Sequence, residues 1–179
     1  GLVVGSGTTV ELTVSGSKIS NFSGNGIVFA GNSTKSAVSG FTISSNVNNG
    51  MRFDKAGSAQ ADFTGTVISQ NTIIGNNGFG VEFSAPVRGL QFVDNVIGAK
   101  GSVNPWGFVS GGSNTHGIVI GPGDYYGTSI SRNEISFNRR DGIFAPGGVT
   151  SLSITKNSLS NNSGQGIELF TGDFTGTVI

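Results

Sequence analysis

A glycine followed by an apolar residue, any residue and usually a second apolar one recurs along the whole chain, and no other feature of the sequence constrains the fold as much. The instances are Gly1-Leu2, Gly26-Ile27, Gly50-Met51, Gly80-Val81, Gly117-Ile118, Gly142-Ile143 and Gly166-Ile167, separated by 25, 24, 30, 37, 25 and 24 residues. A period of this length marks stacked repeats rather than a conventional globular core. A second anchor sets the register. Ile19, Ile43, Ile73, Ile135 and Leu159 each precede the next anchor glycine by seven residues, whereas Ile97 precedes it by 20, so the fourth repeat carries a 13-residue insertion. Five residues before these anchors stand Val14, Val38, Ile68, Phe92, Ile130 and Ile154, all apolar.

The repeats must be built from strands. With 31 glycines and 17 asparagines among 179 residues, and serine and threonine between them, no long stretch is free of residues that disfavour helix interiors. If each repeat is one turn of a parallel solenoid, equivalent residues stack about 4.8 Å apart. Two inward columns follow: Ile27, Met51, Val81, Ile118, Ile143, Ile167 and, two residues on, Phe29, Phe53, Phe83, Ile120, Ala145, Leu169. Beside them run two asparagine columns. Asn71, Asn95, Asn133 and Asn157 form one, interrupted by Ser17 and Phe41; Asn46, Asn76, Asn138 and Asn162 form the other, interrupted by Phe22 and Lys100. Asparagine accepts left-handed backbone angles and can bond its own backbone, which suits these columns to tight turns between strands.

The run Asn71-x-Ile73-x-x-Asn76-x-x-x-Gly80-Val81, repeated at Asn133 to Ile143 and Asn157 to Ile167, resembles the right-handed parallel β-helix repeat of the pectate-lyase-like superfamily. The resemblance implies an all-β, single-stranded right-handed β-helix of roughly six to seven coils. It says little about activity, since such repeats are shared by polysaccharide lyases, epimerases, glycosidases, phage tailspikes and non-catalytic surface proteins. The chain reads as one domain, residues 1–179. It begins at Gly1 and holds a single methionine, Met51, which reads as an excised segment of a longer repeat protein. Asp173 to Ile179 repeats Asp62 to Ile68 letter for letter, and Asp124 to Ile130 is a related version. No polar cap is evident at either end, so end-to-end self-association is expected.

Ten basic and ten acidic residues cancel, which removes the electrostatic drive toward nucleic acid and anionic lipid. No apolar run approaches the ~20 residues of a membrane helix. Neither nucleic-acid binding nor membrane insertion is expected. Without cysteine and with one histidine, His116, no thiolate or multi-histidine metal site can form, and no metal or cofactor is expected.

Trp106, in the insertion, and Tyr125 and Tyr126, in the next long turn, offer flat faces suited to stacking on sugar rings. The two loops flank Ile118-Val119-Ile120, whose outward residue is Val119, and adjacent coils add Arg52, Glu82, Phe144 and Glu168 to that face. The superfamily resemblance implies a polysaccharide cleft in such a place. The alternative is that Trp106 plugs its own loop onto the solenoid. His116 precedes an anchor glycine, as Asp141 does one coil later, with Arg139 and Arg140 in the same turn. A histidine oriented by an aspartate beside arginines can serve as a general base near a charged sugar, although an exposed histidine over an aspartate in a turn is more often structural. Glu82 with Asp141 or Asp54 can supply the two carboxylates a glycosidase needs. Arg52 and Glu82 form an expected surface ion pair. Paired aspartates of the polygalacturonase kind, the Asp-Pro-His-Glu signature of mannuronan epimerases and a calcium-binding acidic cluster are all missing from the sequence. The expected function is therefore a non-catalytic structural or interaction module of an extracellular or cell-surface protein, holding a polysaccharide or cell-surface glycan. The alternative is a truncated polysaccharide lyase, epimerase or glycoside hydrolase.

Overall fold

The computed structural model describes residues 1–5, 11–54, 60–98 and 114–179. Every strand in it is two or three residues long and every pairing between strands is parallel, as stacked coils require. Three sheets run along the axis. The glycine-led strands form the first, seven strands from Leu2–Val4 to Ile167–Leu169; the second has six strands from Thr13–Ser15 to Ser153–Thr155; the third has six from Lys18–Ser20 to Ser158–Ser160. Two short pairs, Ala61–Asp62 with Val87–Arg88 and Gly123–Asp124 with Val149–Thr150, lie between the first and second sheets in chain order. The architecture is the expected right-handed parallel β-helix.

The register agrees with the sequence columns. Ile27 pairs with Met51, Met51 with Val81, Val81 with Ile118, Ile118 with Ile143 and Ile143 with Ile167. From Ile27 to Ile143 this column is fully buried, and Ile167 at the last coil is half-buried. Phe29, Phe53 and Phe83 stack face to face at 4.9 and 4.5 Å, with Phe63 packed edge-on against the first two. Stacked rings at coil spacing add attraction beyond their buried area. The anchor glycine is required by what surrounds it: a Cβ on Gly26 would lie 2.5 Å from Ile43 Cγ2, 2.7 Å from the Gly50 carbonyl and 2.9 Å from Asn46 Nδ2.

The asparagines do something other than adopt left-handed angles. Asn71, Asn95 and Asn133 are buried, and the backbone N and Nδ2 of each donate to Oδ1 of the next, ending at Asn157. The second ladder runs Asn46, Asn76, Asn114, Asn138, Asn162. Asn114 thus fills the rung that the sequence register gave to Lys100, which places the insertion before Asn114. Among the described residues, the one preceding each rung is left-handed: Gln70, Asp94, Arg132 and Lys156 in one corner, Ser45, Gly75, Phe137 and Asn161 in another, the non-glycine residues at φ between 52° and 57°. Such angles cost about 1 kcal/mol or more outside glycine, and the buried amide bonds that follow hold them in place.

The Asp-Phe-Thr-Gly-Thr run at residues 62–66 and 173–177, and its Asp-Tyr-Tyr-Gly-Thr version at 124–128, lie on alternate coils and make a β-turn. Thr66 N donates to Phe63 O at 2.8 Å, Thr128 N to Tyr125 O at 2.8 Å and Thr177 N to Phe174 O at 3.1 Å. The hydroxyls of Thr66, Thr128 and Thr177 donate to carbonyls of the preceding coil, those of Ser33, Val87 and Val149. Phe63 and Tyr125 enter the core from this turn.

Candidate functional site

The outer face of the first sheet carries the column Val28, Arg52, Glu82, Val119, Phe144, Glu168. At its polar end the charges are already engaged. Arg52 lies 3.5 Å from Glu82 and 3.2 Å from Asp54, and its Nε donates to Ser84 Oγ at 3.0 Å. Glu82 Oε2 also accepts Asn49 Nδ2 at 2.6 Å. Both carboxylates on this part of the face are thus already in contact with Arg52. The Arg52–Glu82 pair expected across coils is present.

One coil on, His116 and Asp141 are neighbours, with Nδ1 and Oδ2 3.0 Å apart. Both are buried, so the exposed histidine of the sequence reading is corrected. The imidazole stacks on Phe144 at 5.0 Å and meets Phe79 edge-on at 5.6 Å, and these two rings supply the cover that the residues around His116 in sequence did not suggest. The carboxylate oxygen is close to Nδ1 but off the line of a well-aligned N–H···O bond. Burial is the largest influence and holds the imidazole below its ordinary pKa; the Asp141 charge acts against it and Arg140 with it. Burial thus favours the neutral form of the ring.

Asp141 has a structural duty in addition. Asn25 Oδ1 accepts Asn49 N at 3.0 Å, Asn49 Oδ1 accepts Phe79 N at 2.8 Å, and Asp141 Oδ1 accepts Gln165 N at 2.7 Å. All three occupy the position before an anchor glycine, so the acid does what amides do in other coils. Arg139 Nη2 reaches back to Asn77 O at 3.0 Å and Thr115 Oγ1 at 3.3 Å, tying three coils together, while its exposed neighbour Arg140 makes no side-chain bond among the described residues. Glu82 and Asp141 stand two coils apart, about 10 Å at the spacing of stacked strands. Among the described residues no three histidine or carboxylate side chains gather as metal ligands do.

The aromatic platform needs correction at Tyr125. Its ring is buried and edge-on to Phe83 at 6.1 Å, and its hydroxyl donates to Gly121 O at 2.9 Å. Burial pushes its phenol pKa up. Alignment of Asp124-Tyr125-Tyr126-Gly127 with Asp62-Phe63-Thr64-Gly65 carries the signal, because it puts Tyr125 in the core column of Phe63 and Tyr126 in the exposed column of Thr64. Tyr126 is indeed 72% exposed. Trp106 lies outside the described residues. Around Tyr126 the structure brings residues that the sequence reading did not single out: Thr64, Arg88, Gly89 and Gly127 line a shallow depression with it. Arg88 Nη2 donates to Asp62 Oδ2 at 2.8 Å, and that bond is the main cause holding the Asp62 carboxyl down at about 2, against the opposing effect of burial.

No curated protein and no solved structure matches this chain. The family model described as right handed beta helix region matches residues 1–115. Together with three parallel sheets wound coil on coil, that match shows that the chain belongs to the right-handed β-helix family.

Proposed function

We propose that this chain is a non-catalytic structural and interaction module, a stiff β-helical segment of an extracellular or cell-surface protein that holds carbohydrate on its side. One observation carries the reading: Asp141, the acid best placed to serve a catalytic histidine, occupies the same backbone-accepting position as Asn25 and Asn49. The other candidate groups are similarly engaged, Glu82 by Asn49 and Arg52, and Arg139 by the carbonyl of Asn77. Each of these groups already serves a contact within the scaffold. The placement outside the cell is supported by the resemblance of the repeat to that of the pectate-lyase-like superfamily and by a chain without net charge.

A glycan array tests the interaction half of the proposal. Retention of at least one oligosaccharide, reduced by Trp106→Ala or Tyr126→Ala without a change in melting temperature, is the expected result. Loss of several kcal/mol of stability on Trp106→Ala, about 3 to 5 for a buried ring, with unchanged retention would make Trp106 a plug. An array with no retained glycan would remove carbohydrate from the reading.

A further inference from the structure

The corner that turns from the first sheet toward the second carries a depression of about 320 Å³ lined by Thr64, Arg88, Gly89, Tyr126 and Gly127. Its floor is bare backbone. Gly89 and Gly127 both have φ of 70°, which disfavours any side chain, and a Cβ on Gly89 would in addition fall 2.8 Å from Thr64 Cα and Oγ1, whereas one on Gly127 would meet Gly89 Cα at an ordinary 3.6 Å. The result is a flat step between successive coils, bordered by the largely exposed ring of Tyr126. In the same column, Thr64 and Thr175 stand where this coil has a tyrosine, so the aromatic side chain does not come from the repeat itself.

Arg88, the charged residue lining the depression, is half of a matched pair with Asp62, which does not itself line it. Asp62 Oδ1 is engaged by Thr64 N at 3.0 Å and Thr64 Oγ1 at 2.7 Å, which pins the carboxylate, and Oδ2 accepts from Arg88 Nη2 at 2.8 Å. That bond uses one N–H of a guanidinium that has several. A guanidinium fixed by a carboxylate, with charges that cancel, presents its remaining N–H groups to adjacent hydroxyl oxygens. A carboxylate on a ligand would gain Arg88 only by facing Asp62, so the pair favours an uncharged partner.

We propose that Tyr126 and Arg88 form a subsite for a neutral pyranose with vicinal hydroxyls, the ring face lying against Tyr126 and the hydroxyl oxygens accepting from the Arg88 guanidinium that Asp62 holds in place. The subsite rests on the interaction-module reading and moves the sugar from the outer face of the first sheet to this corner. Binding is weak, because an open step buries little of each sugar.

Titration calorimetry of the full chain with cellohexaose, mannohexaose and trigalacturonate tests it. One neutral hexasaccharide binds, Tyr126→Ala weakens it about tenfold, and Tyr126→Phe keeps the affinity within about twofold. Arg88→Gln and Asp62→Asn each weaken it roughly fivefold. Tyr126→Ala removes an exposed ring, so its melting temperature stays that of the parent chain. Neutral saccharide binding that ignores Tyr126→Ala overturns the subsite and leaves the interaction-module reading standing. Tighter binding of trigalacturonate than of either neutral hexasaccharide overturns the choice of ligand, and no binding of any of the three at millimolar concentration overturns the subsite. Reducing ends are counted in the same samples; their release would overturn the non-catalytic reading and the proposal with it.

Discussion

Asn95 takes part in more bonds than any strand residue near it. Its Oδ1 accepts Asn71 N and Nδ2 at 3.0 Å each, while its Nδ2 reaches Ile68 O, Val93 O and Asn133 Oδ1. Asn95→Ala leaves several of these buried groups without partners, at about 1 to 3 kcal/mol each, and we expect a loss of roughly 3 to 5 kcal/mol in urea unfolding. Ile143→Ala, at a fully buried position, should cost about 2 to 5 kcal/mol; a loss under about 0.5 kcal/mol would contradict the inward register. His116 gives a pH dependence whose sign follows from its depressed pKa. Between the folded value and the unfolded one near 6.5 the unfolded chain binds more protons, so stability is full above that window and falls as pH drops through it. His116→Asn, which puts at this position the residue found at Asn25 and Asn49, should flatten the dependence. Melting curves from pH 8 to pH 5 for both chains check it, and an unchanged slope in the variant would assign the dependence elsewhere.

Each corner balances a strained residue against a buried amide. Gln70 sits at φ 57° immediately before Asn71, so Gln70→Gly should relieve the left-handed strain and raise stability by up to about 1 kcal/mol, the greater chain entropy of glycine in the unfolded state offsetting part of the gain. A clear loss in the same unfolding assay would show that the glutamine side chain matters at that corner. The elements also show which parts of the fold were legible in sequence. The inward columns were, because burial leaves a strict apolar alternation that no insertion disturbs. The rung at Asn114 was not, since counting forward from Ile97 cannot tell on which side of the asparagine an insertion falls. The asparagines stand in turns between strands and bond their own backbone, as expected, but the left-handed angle falls on the residue before: in sequence a left-handed residue and a buried rung look alike, and only the stacked coils tell them apart. Tyr125 was read as a sugar platform from its residue type, although its column, shared with Phe63, marked it as core. His116 and Asp141 were placed together correctly, because one coil of offset at the same repeat position makes neighbours; their burial under Phe144 and Phe79 depends on contacts that cross coils.

At the scale of the whole molecule the three sheets make a rod whose stability accrues coil by coil, as in other solenoids. The strands at either end, Leu2–Val4 and Ile167–Leu169, each have a partner on one side only. Open edges of this kind pair with other chains, and sedimentation of the chain as given is expected to show association that grows with concentration, whereas a clean monomer at high concentration would mean that the end segments protect those edges. Function on this account lies on the sides of the rod, with the histidine–aspartate pair serving as part of the scaffold rather than as a reaction centre. The measurement that tests this most directly is prolonged incubation of the chain with uronate and neutral polysaccharides, reading unsaturated products by absorbance and new reducing ends by colour. The account predicts neither above the level of a protein-free blank, and an Asp141→Asn variant that folds and melts like its parent. Products released by the parent chain and abolished by Asp141→Asn or His116→Ala would contradict it.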